Sequence, residues 1–348
     1  MNQTLNGIRR ILITILVAMG VGALFIVAIG ENPIDAYAAL FRGAFDGELR
    51  LGTTLAGFTP LLLTSIAFAV AAKAGAFNVG VEGEVFLGGI TAAYIGINWT
   101  FLPKPALYVA CFVGAMVVAA AWAFIPAVLR AYYNVNEVCT TILMNTVALY
   151  ITSYLVSGPM SAGTANAQSL PVTVRLYQFM KTSSVNVGIF IAAITVIVII
   201  FMLQKSSWGY KIRTVGLNPT HADYVGIDSK KVFVGAMMLS GMLGGMAGCI
   251  EVLGVHGYFL NNFATGLGSN GMLAALIVKN NMVSTPFMAF FLAVLKSGAM
   301  GMQQSTGVPK SLVDTITAVF IIIATMETAF QFTKKRKKKT EEKKEDKA

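Results

Sequence analysis

The stretch AKAGAFNVGVEGE at residues 72–84 separates two long apolar runs and cannot itself be an ordinary membrane-spanning segment. Its thirteen residues include three glycines, one asparagine, one lysine and two glutamates. A charged side chain at the centre of a bilayer costs roughly 2.5–3.5 kcal/mol on insertion scales, so it usually faces a partner or a water-filled path. Irregular backbone at that depth is tolerated only where protein buries it or where it lines a cavity. The stretch therefore predicts a transport path through a membrane.

The composition of the whole chain is typical of a polytopic membrane protein. Of the 348 residues, 56% are hydrophobic and only 12% are charged, whereas about a quarter are charged in soluble domains. The net charge is +10, and the basic residues lie beside apolar runs and in a tail at the carboxyl-terminal end. This distribution indicates the positive-inside bias of membrane proteins rather than a surface for nucleic acid. Cys111, Cys139 and Cys249 fall inside apolar runs, so we expect free thiols.

The apolar runs predict an all-α fold with about ten transmembrane crossings. Nine runs are expected to cross the bilayer, and they lie at residues 11–29, 51–72, 85–99, 106–129, 138–156, 185–203, 232–255, 286–300 and 311–332. A tenth and shorter run lies at residues 271–278. Pro60 is expected to interrupt the second run. Residues 33–45 have the spacing of a short amphipathic helix lying at the outer surface.

The distribution of basic residues predicts the orientation of the chain. An even number of crossings places both termini on one side, and an excess of Lys and Arg identifies that side as the cytoplasm. The signals are Arg9 with Arg10, the compact loop 205–231 and the tail 334–339. We therefore expect one transmembrane domain over residues 1–332, followed by a disordered cytoplasmic tail of mixed charge at 333–348.

A later part of the chain has a weak internal similarity to the opening stretch. A glycine-rich polar break runs straight into an apolar helix at residues 78–84 and again at residues 266–271. Broken helices at corresponding positions in two halves point to a transport site, because half-helix amino termini carry free N–H groups and a partial positive charge. Two ordinary glycine-rich turns would give the same pattern, and periodicity alone leaves both readings open.

Patterns of catalysis are missing from the sequence. There is no G-x-x-x-x-G-K-[ST] phosphate loop for binding ATP. The two histidines, His221 and His256, are far apart and have no Cys or Asp at metal-ligand spacing. A nucleophile with an adjacent base is not visible either. We therefore expect a transporter subunit that has no catalytic residue, no metal and no cofactor of its own.

Several blocks of sequence, in a fixed order, resemble one known family. GAFNVGVEGE at residues 75–84 is similar to the G-x-F-N-I-G-x-E-G-Q signature of bacterial ABC-type nucleoside importer permeases, in the broader group of ribose and branched-chain amino acid permeases. NEVCTTILMN at 136–145 resembles the segment N-E-V-I-x-T-L-M-L-N, and GLNPTHADYVGI at 216–227 resembles G-x-N-P-x-A-A-x-Y-A-G-I. GMLAAL at 271–276 and MQQSTGVP at 302–309 match G-I-A-V-A-L-L-G and M-Q-x-x-T-G-V-P. One departure is Glu84, which stands where the family usually has Gln.

The resemblance implies an ATP-driven importer for nucleosides or related sugar-containing small molecules, with this chain as a permease subunit in a bacterial cell (inner) membrane. Such permeases pair with a second, often related, permease and engage a cytoplasmic ABC ATPase that binds the ATP and Mg. They receive substrate from an extracytoplasmic binding lipoprotein or periplasmic protein, and no nucleic acid is involved. The alternative is an ion- or proton-coupled secondary carrier without an ATPase, which intramembrane carboxylates such as Glu251 would favour.

The resemblance also implies a coupling helix for the ATPase at residues 217–227. Asn218 would cap this helix, Pro219 would lie in its first turn and Gly226 would end it. The coupling residues are then Gly216, Asn218, Pro219, His221, Ala222 and Gly226.

For the translocation path, the candidates lie in the two glycine-rich breaks and in the 136–145 block. They are Asn78, Gly80, Glu82, Gly83, Asn145, Asn270 and Gly271. The amide side chains among them offer donors and acceptors to ribose hydroxyls or base edges. Glu82 could instead hold the break in place by pairing with Lys73 or with a helix terminus, and both roles stay open.

Overall fold

A computed structural model describes residues 19–180, 182–307, 309, 311, 312, 314, 315 and 318. These residues are mainly helical, and extended segments within them pair only at isolated bridges. The helices are α1 (Met19–Ile29), α2 (Pro33–Phe45), α3 (Gly47–Lys73), α4 (Val81–Asn98), α5 (Lys104–Tyr133), α6 (Glu137–Ser157), α7 (Gly188–Lys205), α8 (Ser207–Leu217), α9 (Pro219–Tyr224), α10 (Ser229–Ile250), α11 (Leu267–Ile277) and α12 (Thr285–Thr306). Helix α10 continues into a turn of π-helix at Glu251–His256.

Six helices within the described residues are long and apolar enough to cross a membrane. They are α3, α5, α6, α7, α10 with its π-helical extension, and α12. Helices α1 and α2 together would make a seventh span, but they meet at a bend of 114°. The runs predicted at 85–99 and 271–278 form α4 and α11, whereas the run at 311–332 and the tail at 333–348 lie almost wholly outside the described residues. The chain is thus a multi-pass helical membrane protein, and the count of ten crossings stays a prediction.

The predicted interruption at Pro60 is wrong, because α3 runs without a break from Gly47 to Lys73. A proline inside a helix removes one backbone hydrogen bond and crowds the preceding turn. In α3 the flanking residues Thr59 and Leu61 are both buried, so packing against other helices holds the turn in place. The chain leaves the helix at Ala74, just where the opening stretch begins its irregular course.

The described residues form two compact units, of which the larger covers residues 46–294. Its core is built around α10, which packs against α3, α4 and α5. Glycines on α10 allow this close approach, since a Cβ at Gly248 would lie 2.0 Å from the carbonyl oxygen of Val85 on α4. On the α5 side, a Cβ at Gly245 would lie 2.5 Å from the carbonyl oxygen of Ala115. Small residues at helix contacts are typical of membrane bundles.

The smaller unit combines the described residues up to Phe45 with those from Leu295 onward. Residues 33–45 form the predicted helix, and its buried face includes Ala36 and Leu40. This face packs in a cluster with Ala299 and Met302 of α12. The helix is confirmed, and its predicted place at the outer surface of the membrane stays a prediction.

Candidate functional site

The first glycine-rich break, between α3 and α4, is organised around the side chain of Asn78. This amide is only 1% exposed. Its Nδ2 donates to Oε1 of Glu84 (2.8 Å) and to Oγ of Ser240 on α10 (2.9 Å). Its Oδ1 accepts a hydrogen bond from the backbone N–H of Gly80 at 2.9 Å. One side chain therefore ties the irregular backbone to the first turn of α4 and to the central helix.

Asn145 of α6 clamps the same break from the other side. Its Nδ2 donates to the carbonyl of Val79 (2.9 Å), and its Oδ1 accepts from the N–H of Gly83 (2.8 Å). The N–H of Gly83 is among the free amide groups at the start of α4, and a side-chain acceptor is the usual way to satisfy one of them. A Cβ at Gly83 would lie 3.1 Å from the Cβ of Ala148, so glycine lets α6 come this close.

Glu82 connects the first break to the second. Its Oε1 accepts a hydrogen bond from the N–H of Gly266 (3.0 Å), and its Oε2 accepts one from the hydroxyl of Ser269 (3.2 Å). Both partners belong to the first turn of α11, where free N–H groups and the helix dipole favour a negative charge. Of the partners considered for Glu82, a helix terminus is therefore the one that the structure shows. Asn270 bonds within the same turn, through its Nδ2 to the carbonyl of Gly266.

The two helix starts touch through backbone as well as through Glu82. A Cβ at Gly268 would lie 2.5 Å from the backbone nitrogen of Glu82, and one at Gly271 would lie 2.8 Å from that of Ser65 on α3. The hydroxyl of Thr64 donates to the carbonyl of Leu267 at 3.2 Å. The internal similarity in the sequence thus corresponds to two helix amino termini packed against each other, of which the second also packs against α3.

The predicted coupling segment forms a short helix as expected. In α9 the side chain of Asn218 accepts from the N–H of His221 (3.0 Å), and Pro219 occupies the first turn. The helix ends at Tyr224, and Gly226 follows in the left-handed conformation at φ +81°. Ala222 is buried, whereas His221 is exposed.

At the end of α8, Gly216 lies against the opening stretch. A Cβ at this position would be 2.0 Å from the carbonyl oxygen of Lys73 and 3.2 Å from the nitrogen of Gly75. The helix pair α8–α9 is therefore in direct backbone contact with the chain that leads into the first break.

The coupling segment is followed by α10, whose amino terminus is capped by Asp228. Asp228 accepts from the N–H of Lys231 at 3.0 Å, and its other oxygen lies 3.0 Å from Nζ of Lys231. The backbone hydrogen bond, followed by the side-chain contact, holds the pKa of the Asp228 carboxyl below its usual range. The ionised carboxylate then caps α10.

Residues 50–325 match the protein family described as branched-chain amino acid transport system / permease component. This match covers well over half of the chain. The chain belongs to this family.

Individual relatives match the permease over nearly its full length. The guanosine ABC transporter permease protein NupP of Bacillus subtilis (strain 168) is 33% identical over 337 residues, which are 94% of this chain and 96% of the relative. The glucose ABC transporter permease protein TsgB13 of Haloferax volcanii is 32% identical, over 89% of this chain and 85% of the relative. The nucleoside ABC transporter permease protein NupB of Lactococcus lactis subsp. cremoris is 30% identical, over 92% and 91%. All three are named as ABC permeases, which gives no support to the secondary carrier.

The permease brings its predicted translocation residues together in one place. Four of them are buried and three are half-buried; the buried ones are Asn78, Gly80, Gly83 and Gly271, and the half-buried ones are Glu82, Asn145 and Asn270. Their polar atoms bond to the backbone and side chains of the two breaks. The arrangement is suited to fixing two helix starts against each other.

Sequence reasoning missed several residues of this cluster, namely Thr64, Ser240, Gly268 and Ser269. Ser240 is 162 positions away from its partner Asn78 and carries no motif of its own. Ser269 lies inside the second break, so the rule that carboxylates bind helix amino termini could have paired it with Glu82. Among the described residues, no group of three or more His, Cys, Asp or Glu side chains is placed to hold a metal ion.

Proposed function

We propose that this permease is the membrane subunit of an ATP-driven importer of nucleosides. The observation that carries this proposal is the coverage of more than 90% of the chain by two relatives named for guanosine and for nucleosides. A relative named for glucose matches almost as well, so a sugar-containing solute of another kind is the second candidate. In all three cases the relative is similar along the membrane core and not only at the coupling segment.

The proposed assembly contains a second, related permease, a cytoplasmic ABC ATPase with its ATP and Mg, and an extracytoplasmic substrate-binding protein. The permease itself would lie in a bacterial cell membrane with about ten crossings and both termini in the cytoplasm. The basic loop around α8 and α9 supports this orientation, since it carries Lys205, Lys211 and Arg213.

Exposed apolar side chains on the coupling segment support the docking of an ATPase there. Leu217 is 88% exposed, Tyr224 is 86% exposed and Val225 is 55% exposed. The segment is tied to the start of α10, because Asp223 accepts hydrogen bonds from both the N–H and the hydroxyl of Ser229 at 2.9 Å. Exposed apolar groups surrounded by polar residues are typical of a protein interface. The contact of Gly216 with Lys73 would carry movement of this interface to the first break.

During transport, the starts of α4 and α11 would hold each other in position beside the translocation path. Glu82 would hold α11 against α4 through the bonds to Gly266 and Ser269, and Asn78 and Asn145 would keep the start of α4 fixed. This role differs from a tight substrate site, which the binding protein would supply.

Reconstituted transport tests the proposed function. The permease, its ATPase, the second permease and the binding protein are placed in proteoliposomes, and uptake of labelled guanosine and labelled glucose is compared. We expect ATP-dependent guanosine uptake that persists when ion gradients are collapsed. Uptake of glucose alone would replace the nucleoside by the second candidate, and uptake that needs an ion gradient would contradict an ATP-driven importer.

A charge placed on the coupling segment tests the ATPase interface. Tyr224→Asp is expected to reduce co-purification of the ATPase and to abolish uptake, with normal amounts of permease in the membrane. The matched control is Tyr177→Asp, which changes a tyrosine of similar exposure (73%) in the segment before α7. If the ATPase co-purifies equally well with both variants, the interface lies elsewhere.

A further inference from the structure

The segment before α7 is hydrogen-bonded along the carboxyl-terminal end of α10. Residues 167–178, called here the outer strap, run beside residues 253–261. Four backbone hydrogen bonds of 2.9 Å join the two segments, in which the N–H groups of Ser169, Val172, Leu176 and Asn261 donate to the carbonyls of Phe259, Gly257, Leu253 and Ala167, respectively. Because buried backbone groups need partners, these bonds fix the outer strap to the end of α10.

Two side chains of the outer strap bond to the last carbonyls of the π-helical turn. Nε2 of Gln178 donates to the carbonyl of Gly254 (2.9 Å), and Nη2 of Arg175 donates to that of Val255 (3.3 Å). The last carbonyls of a helix lack donors within the helix, and the helix dipole favours a cation at this end. The outer strap therefore completes the end of α10.

From this end the chain leads directly to the second helix start. Residues 257–266 join the π-helical turn to α11. The ring of Phe259 is fully buried and lies 5.2 Å from that of Phe263, which lies 5.7 Å from the ring of Phe86 on α4. Gly266, at the end of this segment, begins the hydrogen-bonded start of α11. Packed and hydrogen-bonded residues thus connect the outer strap to that start without a gap.

The outer strap lies at the end of α10 opposite the coupling segment. Helix α10 begins at Ser229, beside the coupling segment, and its π-helical extension ends at His256. These 28 residues span about 42 Å at roughly 1.5 Å per residue, which exceeds the thickness of about 30 Å of a bilayer core. Residues 157–166, just before the strap, are mainly Ser, Gly, Ala, Thr and Asn and are mostly exposed. Water rather than lipid therefore surrounds this connection.

The exposed side of the outer strap carries a cation, and a second cation lies nearby. Arg175 is exposed, between the buried Val174 and Leu176, because side chains alternate along an extended segment. The carbonyl of Arg175 accepts from the hydroxyl of Tyr108 on α5 at 2.6 Å. Lys104, also exposed, lies one helical turn before Tyr108 on the same face of α5. The two basic side chains therefore belong to one region of the surface.

Carboxylates are missing from the connections around the outer strap. The connections between α4 and α5, between α6 and α7 and between α10 and α11 contain two Lys or Arg residues and no Asp or Glu. Asp46 and Glu48 belong to the start of α3, which meets the same connection at Ser183, beyond the strap. A partner that brings carboxylates to the strap meets opposite charges there.

We propose that the outer strap is a docking surface for the extracytoplasmic substrate-binding protein, whose carboxylate side chains bind Arg175 and Lys104. This inference rests on the proposed function and names the surface through which that partner engages the permease. Arginine binds a carboxylate through two parallel hydrogen bonds, which fixes orientation as well as contact. Docking on the strap then reaches the start of α11, so the binding protein and the ATPase act at opposite ends of α10.

Charge reversal tests the docking surface. The affinity of the binding protein, loaded with guanosine, is measured for the permease complex in nanodiscs. Lys104→Glu is expected to weaken binding roughly 5-fold, and less at high salt because exposed charges are screened. Within the described part of the chain the side chain of Lys104 forms no ion pair, so this variant leaves the fold intact. Adding Arg175→Glu should weaken binding further.

The matched control is Lys211→Glu, the same change at an exposed lysine of α8 on the side of the coupling segment. It should leave the affinity for the binding protein unchanged. Equal affinities of Lys104→Glu and Lys211→Glu would overturn the docking surface. If the unsubstituted transporter takes up neither guanosine nor glucose, the proposed function fails instead, so the two failures are distinguishable.

Cross-linking identifies what covers the outer strap. A benzophenone amino acid in place of Leu170, which is 49% exposed, is expected to capture the binding protein in the reconstituted transporter. The same amino acid in place of Phe201 on α7, which is 66% exposed on an apolar face, should not capture it. Capture of the second permease or of lipid alone at position 170 would overturn the proposal.

A fluorescent label tests whether docking reaches α11. In a Cys139→Ser background, a label on Ser269→Cys is expected to change its emission when the binding protein is added, and less so when Lys104→Glu is also present. A label on Tyr133→Cys, at the far end of α5, is the control and should not respond. An unchanged emission at position 269 with the binding protein bound would overturn the connection between the outer strap and α11.

Discussion

The two glycine-rich helix starts look alike in sequence, but they are held in different ways. At the start of α4, the amides of Asn78 and Asn145 bond to backbone and side chains within the protein, and Asn78 is almost completely enclosed. At the start of α11, the hydrogen bonds to α4 come from one carboxylate, that of Glu82, beside the backbone contact at Gly268, and its partner Ser269 is exposed. The comparison teaches that the first start is a fixed frame and that the second is attached to it.

This asymmetry has a physical consequence for movement. Separating α11 from α4 breaks the two hydrogen bonds of Glu82 and the backbone contact at Gly268. Displacing the start of α4 would instead leave buried amides and the carboxylate of Glu84 without partners, which is far more expensive. If one of the two starts moves during transport, it is the second.

The largest effect is expected from Asn78→Leu, which removes three hydrogen bonds at the first start. The substitution also leaves the buried Glu84 carboxylate without its amide donor. We expect a loss of about 3–5 kcal/mol in the free energy of unfolding, because three hydrogen bonds are lost and each buried polar group left unsatisfied costs about 1–3 kcal/mol. The measurement is the thermal midpoint of the purified permease together with its amount in the membrane. The control is Asn98→Leu at the far end of α4, where the amide donates to the carbonyl of Tyr94. If Asn98→Leu lowers the thermal midpoint as much as Asn78→Leu does, the start of α4 is not a fixed frame.

Gly268→Ala should have the next largest effect, because it forces the two starts apart. The new Cβ would meet the backbone of Glu82 at 2.5 Å, and backbone cannot move aside as a flexible side chain does. Overpacking of this kind costs about 1–3 kcal/mol. Gly57→Ala on α3, which has no neighbour within 4 Å of the new Cβ, is the matched control and should be neutral or slightly stabilising. A thermal midpoint of Gly268→Ala equal to that of Gly57→Ala would show that the starts do not press on each other.

Glu82→Gln separates a holding role from a path-lining role. The variant keeps one acceptor for Gly266 but loses the charge that the amino terminus of α11 favours, so a loss of about 1–2 kcal/mol is expected. We expect the amount of permease in the membrane and the uptake to fall together. Normal abundance and a normal thermal midpoint with lost uptake would assign Glu82 to the path instead.

Local motifs predicted the positions of these elements but not their partners. The glycines and Asn78 marked the break, and Asn218 with Pro219 marked the coupling helix, because caps and helix starts depend on neighbours a few residues away. Pairings such as Asn78 with Ser240, or Glu82 with Gly266, join residues more than 150 positions apart. Only the packing of α10 and α11 against α4 brings them together, and no local pattern contains that information.

Pro60 and Asn145 are two positions where packing against other helices decides the structure and the local sequence pattern does not predict it. The local rule predicted that Pro60 would break α3, and burial of its flanks overrides the rule. The amide chemistry of Asn145 makes it a candidate for the translocation path, but the structure turns it towards the backbone of the break, whereas Thr146 beside it faces outward. A difference of one residue on a helix rotates a side chain by about 100°, so the face is decided by which side the neighbours occupy.

The smallest effect expected concerns the bond between Glu82 and Ser269, and a double-mutant cycle measures it. Ser269→Ala, Glu82→Gln and the double variant should give a coupling energy of about 0.5 kcal/mol, because the serine is exposed and its bond to Oε2 is 3.2 Å long. The free energies of unfolding of the unsubstituted permease, the two single variants and the double variant are measured in mixed detergent and denaturant. Ser153→Ala is the control partner for Glu82→Gln, since Ser153 donates to Asn261 and the two changes should therefore add. A coupling energy as large as the whole effect of Glu82→Gln would place the attachment of α11 on this hydroxyl rather than on the N–H of Gly266.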